Sequence, residues 1–258
     1  MGKKEKKDKQ PSQASILKAE MEARDRKIKN ILIAVSIVTL LVIASMTAVG
    51  MKGKPRSATP NINASAPSPK GAFAAESPFA FGVPYGSNPN APVMELFEDF
   101  QCPACKALED ANGKGIIQLA DEGKILLVYR PVNFLDNGLG NTASTRAANA
   151  FGCAVDAGVT KIYHDLIFAN QPRSEGTGYT DANLDSFAVA ADLSEEKLEE
   201  WRSCVANRTY YDWIANSMNE FNEEKLTGTP TVRFQGKVVD NMVVATPAKL
   251  TELVENAK

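Results

Sequence analysis

Two cysteines three positions apart, Cys102 and Cys105, stand in the run FEDFQCPACKALE (97–109), where a strand-like apolar stretch gives way to a helix-like one. Cysteines at this spacing can share a metal ion, staple a loop, or cycle between dithiol and disulfide. Each use makes its own demand on the rest of the chain. A structural zinc site needs four ligands, normally with a second close pair. Here the remaining cysteines, Cys153 and Cys204, are 51 positions apart, and His164 is the only histidine. A c-type haem attachment needs histidine directly after the second cysteine, and that position is Lys106. A purely structural bridge over so short a loop contributes little. Redox cycling is the leading reading, ahead of a staple or a metal site.

Local chemistry supports that order. If Cys102 caps the helix that Pro103 begins, the proline occupies a first helical position whose N–H would be unpaired anyway. The helix's positive end then lies beside the Cys102 sulfur and favours its thiolate. Cys105, deeper along the same turn, can close a disulfide with it. That makes Cys102 the exposed nucleophile and Cys105 the resolving thiol.

The elements around the pair must hold it. VMELFEDF (93–100) and KILLVYRPV (124–132) read as strands, and 103–122 between them as a helix broken at Asn112-Gly113. Strand, helix and strand make a βαβ unit with a parallel pair. From 141 to 226 the pattern is helical, with Ser194 before Glu195 and Glu196 as one helix start. TPTVRFQGKVVD (229–240) reads as a hairpin turning at Gln235-Gly236, and a last helix closes the chain. The class is α/β, in the order βαβ, helical block, ββα.

Which side of a membrane the cysteines face decides their redox fate. Residues 31–51, ILIAVSIVTLLVIASMTAVGM, carry no charge, and as a helix they would span about 31 Å, enough for a bilayer core. Residues 1–30 hold ten Lys/Arg against five acids. Positive charge stays inside, so the expectation is a cytoplasmic basic segment at 1–30, a single transmembrane anchor at 31–51 and an extracytoplasmic remainder. A cleaved signal peptide would have a shorter apolar core and a short leader. The Pro/Ser/Ala-rich stretch 52–72 reads as a tether, and 73–258 as one domain with room for a sizeable core. From residue 71 onward 15 Lys/Arg face 26 Asp/Glu. That balance excludes a basic nucleic-acid face. All four cysteines lie in this exported part, where disulfides are the default.

The segments GSNPNAPVMELFEDFQCPACKALE (86–109), YRPVNFLDN, AANAFGCAVDAG, YHDLIFAN, WRSCVANR and TGTPTVRFQGK resemble the DsbA-like group of thioredoxin-fold proteins, especially membrane-anchored members from Gram-positive bacteria, over residues 81–258. The resemblance implies a thioredoxin fold carrying a helical insertion at about 141–226. It implies that Pro230 is a cis-proline beside the CxxC and that Thr229 offers backbone groups to an incoming peptide. It also implies a structural disulfide between Cys153 and Cys204; two buried free thiols are the alternative. The implied activity is introduction of disulfides into reduced exported polypeptides, with reoxidation by a membrane quinone-linked thiol oxidase. No cofactor and no metal site are expected. A reductase or isomerase, as in cytochrome c maturation, and a non-catalytic chaperone or adhesion module are the alternatives.

Two positions depart from the family pattern. Relatives often carry histidine inside the CxxC, and this chain has Ala104; many carry a buried glutamate six residues before the first cysteine, and this chain has Leu96, flanked by Glu95 and Glu98. His164, in KIYHDLIF, reads as a packed histidine rather than a base. Trp201, Tyr210, Tyr211 and Trp213 read as core rather than as a peptide groove, and Asp99 stands where a strand end could touch the active-site helix.

Overall fold

In the computed structural model of the chain, residue 63 and residues 65–257 are described. The basic segment 1–30, the expected anchor 31–51 and most of the tether lie outside the described residues. Among the described residues no helix is long and apolar enough to cross a membrane.

The sheet has five strands in the order β1-β3-β2-β4-β5. At its centre β2 (Val93–Glu98) and β3 (Leu126–Pro131) run parallel, with Leu96 beside Tyr129. The helical crossover between them completes the expected βαβ unit. It consists of α1 (Pro103–Leu108), a π turn (Glu109–Gly113) and α2 (Lys114–Asp121), so the anticipated break at Asn112-Gly113 is a bulge within one helical rod. Antiparallel to β2 lies β4 (Thr231–Phe234), and β5 (Lys237–Val239) follows it through a two-residue turn. Gln235 and Gly236 in that turn both take positive φ (50° and 75°), the conformation that suits a tight hairpin. A short α9 (Asn241–Val244) and the closing α10 (Pro247–Glu255) complete the fold.

Two elements were not legible. The edge strand β1 (Val83–Tyr85), antiparallel to β3, is three residues between glycines and too short to show alternation. The helix α3 (Phe134–Leu139) lies in the polar run FLDNGL and ends at Gly140, whose φ of 64° is the left-handed cap that glycine adopts readily.

Alternation along β2 sorts its side chains between two faces. Met94, Leu96 and Glu98 face the main core with α1 and α2, whereas Phe97 packs against Phe221 on the other face. Glu95 shares that second face. Its carboxylate accepts from Arg130 and Arg233, both at 2.6 Å.

The insertion comprises α4 (Ala143–Ala157), α5 (Thr160–Ala169), α6 (Asp181–Ala190), α7 (Glu195–Ala206) and α8 (Tyr211–Glu223). Alanines at 147, 148, 150 and 154 of α4 are fully buried and let its neighbours approach closely. Trp201 on α7 donates to the Ala150 carbonyl (3.1 Å), and Cys204 is disulfide-bonded to Cys153 on α4. The attachment of the chain begins before residue 73, inside the expected tether. The Asn63 N–H donates to Asn216 (3.1 Å), and the Lys70 N–H donates to Asp156 (2.7 Å).

Candidate active site

Cys102 is the cap residue of α1, with extended φ and ψ (−75°, 119°), and Pro103 takes the first helical position. The Cys102 N–H donates to the Asp99 carbonyl (2.9 Å), and the Lys106 N–H returns to the Cys102 carbonyl (3.2 Å). Both sulfurs are shielded: Cys102 is 6 % exposed and Cys105 fully buried.

The turn before β4 completes the surroundings. The Thr229–Pro230 peptide is cis, as the resemblance implies, and the Cys102 thiol donates to the Thr229 carbonyl at 3.3 Å. The Thr229 hydroxyl is buried and has no hydrogen-bond partner. A thiolate at Cys102 needs donors, and they are at hand. The Cys105 thiol first, then the Thr229 side chain and the N–H groups of Cys105 and Ala104, outweigh burial and bring the Cys102 thiol down to about 6. Cys105 goes the other way, held well above the usual thiol range by burial, by the hydrogen bond its thiol donates to Cys102 and by the Glu98 charge. One sulfur is therefore ionised at neutral pH and the other keeps its proton, the division of labour between a nucleophile and a resolving thiol.

A frame of hydrogen bonds ties the residues preceding Cys102 to the insertion. The Asp99 carboxylate accepts from the Gln101 N–H (2.8 Å), the Leu135 N–H (2.9 Å) and the Ser144 hydroxyl (2.6 Å). Burial raises the Asp99 carboxyl to about 6 despite those donors. Gln171 donates to the carbonyls of Phe100 (2.9 Å) and Cys102 (3.0 Å), and the Tyr179 hydroxyl reaches the Phe100 carbonyl (3.1 Å). Asp99 thus shapes the turn, and its backbone N–H also supports the Cys105 sulfur. Gln171 and Tyr179 gave no signal in the sequence, because only the fold brings them back to residues 100–102.

Leu96 is buried where relatives often carry an acid. Of its flanking acids, Glu95 points to the far face, and Glu98, two residues on from Leu96, shares its face. Glu98 is 3 % exposed, and its Oε2 lies 2.9 Å from His164 Nε2. Burial raises the Glu98 carboxyl although His164 opposes it. Burial and the Glu98 charge bring Glu109 up to about 8. His164 is pulled down by burial, but Asp165, Glu98 and Glu109 more than reverse this, to about 10. His164 is therefore packed among Phe100, Tyr129 and Phe168, yet it also completes an acid–imidazole cluster that includes Glu109. Glu109 was missed in the sequence, where an acid seven residues after Cys102 looks like any exposed helical residue. Trp201, Tyr210 and Trp213 are buried in the core, and Tyr211 lies under the Arg208 guanidinium at 5.6 Å; none of them lines the cysteine pair.

No curated protein matches the chain. Among solved structures it is similar to MdbA, a thiol-disulfide oxidoreductase from Actinomyces oris, with 25 % identity and a TM-score of 0.60, covering 74 % of this chain and 99 % of that one. DsbA from Mycobacterium tuberculosis is similar at 25 % identity and a TM-score of 0.57, over 69 % of this chain and 92 % of its own. BdbD from Bacillus subtilis shares the fold at 21 % identity and a TM-score of 0.58, over 74 % of this chain and 97 % of that one. A family model described as thioredoxin matches residues 82–256, from the edge strand to the last helix, and the chain belongs to the thioredoxin family.

Proposed function

We propose that the chain is a membrane-tethered, extracytoplasmic thiol-disulfide oxidoreductase that introduces disulfides into reduced exported polypeptides. The observation that carries this reading is the asymmetry of the pair. Cys102, at the helix cap against Thr229, has a thiol near 6, whereas Cys105 is buried and held protonated. Similarity to MdbA and DsbA supports the same chemistry.

In the oxidised enzyme a substrate thiolate attacks the Cys102 sulfur, forming a mixed disulfide and breaking the Cys102–Cys105 bond. Cys105 leaves with the electron pair and takes up a proton. The substrate's second thiolate then attacks its own bridged sulfur, and Cys102 leaves as a thiolate. Its low pKa makes it a good leaving group. The substrate loses two electrons, and the enzyme ends as a dithiol. A membrane quinone-linked thiol oxidase would return the pair to the disulfide. During the exchange Thr229 offers its backbone to the substrate as an added strand would.

Mass-tag trapping of thiols in intact cells tests the direction of flow. The oxidase reading expects Cys102 and Cys105 to rest as a disulfide, and a pair resting as a dithiol would instead indicate a reductase. Protease added to protoplasts tests the topology. It should digest residues from 73 onward and spare 1–30; a protected domain would refute the extracytoplasmic placement. One observation favours the reductase or isomerase alternative: Ala104 removes the cation that an imidazolium between the cysteines would supply to the thiolate. A reduction potential at or below about −270 mV, the thioredoxin landmark, would select it.

A further inference from the structure

Glu98, Glu109 and His164 come from three separate elements: the end of β2, the π turn and α5. Each brings one ligand atom within 4.8 Å of the other two. Glu98 and His164 are buried, and Glu109 is partly open toward a cleft of about 200 Å³ that Lys114, Lys161 and Asp165 also line. Glu98 spends Oε2 on His164 Nε2; its other oxygen, Oε1, has no nitrogen or hydroxyl donor, and the protonated Glu109 carboxyl is the other group that reaches this carboxylate. His164 Nδ1 has no hydrogen-bond partner; Asp165 Oδ1 is 3.9 Å away. Buried polar atoms are rarely left so. The backbone also makes room for the group. A Cβ at Gly113 would fall 2.2 Å from Glu109 Oε2 and would push that carboxylate out of its present position.

We propose that Glu98, Glu109 and His164 form a binding site for a divalent first-row transition-metal cation, with zinc as its best-suited occupant. The donor set is one imidazole nitrogen and two carboxylate oxygens, which suits zinc and its neighbours better than calcium or magnesium, hard ions that favour all-oxygen shells. Zinc ligands at about 2.0–2.1 Å in a tetrahedron lie about 3.3 Å from one another. The Glu98–His164 pair at 2.9 Å would open by about 0.4 Å, and the Glu109 carboxylate would swing inward across a gap of at most 4.8 Å. Binding releases the protons that Glu109 and His164 otherwise hold, and two carboxylates and a neutral imidazole then balance the dication. With Nε2 on the metal, Nδ1 faces Asp165 Oδ1 at 3.9 Å, and an approach of about 1 Å would complete the carboxylate–histidine pair that orients a metal-bound ring. The fourth position is left to water from the cleft. Nothing in the sequence announces this set, because its members are scattered over 66 residues.

The test uses the detergent-solubilised full chain with Cys102 and Cys105 oxidised, so that neither thiol can bind metal. Zinc titrated in a calorimeter should bind at one ion per chain. Cobalt in its place should give visible d–d absorption without a thiolate charge-transfer band. Glu109→Gln and His164→Gln should each weaken binding at least tenfold. Gly113→Ala, which fills the space of the Glu109 carboxylate while leaving every ligand in the sequence, should also weaken it. His164 is the only imidazole, so its ring resonances report occupancy directly and independently of any loss of stability. Absence of stoichiometric binding by the oxidised wild type would overturn the proposal. Binding that survives both Glu109→Gln and His164→Gln, or His164 resonances unmoved by zinc, would overturn it equally.

Discussion

Replacing Thr229 by valine removes one hydroxyl and keeps the shape of the side chain and the carbonyl that faces Cys102. In the thiol form that hydroxyl has no partner, so its loss costs the reduced, protonated protein little. In the thiolate form it donates to a charged acceptor, an interaction of about 1.5–3 kcal/mol. That corresponds to about one to two pKa units. Cys102 should therefore move from about 6 to about 7–8 in the variant. At pH 7 the thiolate population would fall from about nine-tenths to between about a half and a tenth. Losing that preference at neutral pH makes the disulfide less oxidising by about 20–30 mV. Thiolate absorbance of the reduced protein against pH gives the first value, and equilibration with glutathione the second. A Cys102 pKa in Thr229→Val within about 0.3 unit of wild type would show that the hydroxyl is not a thiolate donor. The remaining donors, Cys105 and the N–H groups of residues 104 and 105, would then have to carry the whole shift.

Four further outcomes follow from the same geometry. Cys105→Ser should accumulate mixed disulfides with substrates, and Cys102→Ser should form none; the reverse pattern on a non-reducing gel would exchange their roles. The wild-type potential should fall by about 59 mV per pH unit below pH 6 and by about 30 mV above it, because the reduced form sheds one proton at Cys102; a break near 8.5 instead would contradict the lowered thiol. Asp99 has a folded pKa raised above its ordinary 3.8 to about 6, so the native state holds the extra proton and its charge burial costs stability as pH rises through that window. Asp99→Asn should accordingly be less destabilising near pH 7.5 than near pH 4.5, by about 2 kcal/mol in denaturant titrations, and an equal penalty at both would remove the buried charge from the account. Replacing Cys153 and Cys204 together by alanine reopens a loop of 51 residues and should cost about 4 kcal/mol, roughly 10 °C in melting temperature, with the Cys102 pKa unchanged.

Much of this was legible in residue order. The CxxC, the proline at the first helical position and the hairpin at Gln235-Gly236 rest on local backbone preferences, which is why they were readable. The parallel β2–β3 pair followed from the strand–helix–strand order, and the order of the longer elements from periodicity. Features that depend on distant approach were not readable. Glu95 and Glu98 look equivalent beside Leu96; strand alternation sends one to an arginine pair and the other to His164. The insertion reads as helices in sequence, but its function of clamping residues 99–102 through Ser144, Gln171 and Tyr179 appears only once the chain folds back. His164 as a packed histidine is half of what it is, since the acids around it come from other elements. The hydrogen bonds that Asn63 and Lys70 make to the insertion leave no mark in a Pro/Ser/Ala-rich composition.

Oxidative refolding decides whether Cys102 and Cys105 deliver a disulfide to a reduced polypeptide. A reduced, denatured secreted protein with several disulfides is mixed with the oxidised chain in the absence of other oxidants, and free thiols are counted over time. Each chain should consume two substrate thiols in one rapid turnover, Cys102 and Cys105 should emerge as a dithiol, and Cys102→Ser should be inert. Substrate thiols that persist beside a Cys102–Cys105 pair still oxidised would contradict the proposed function.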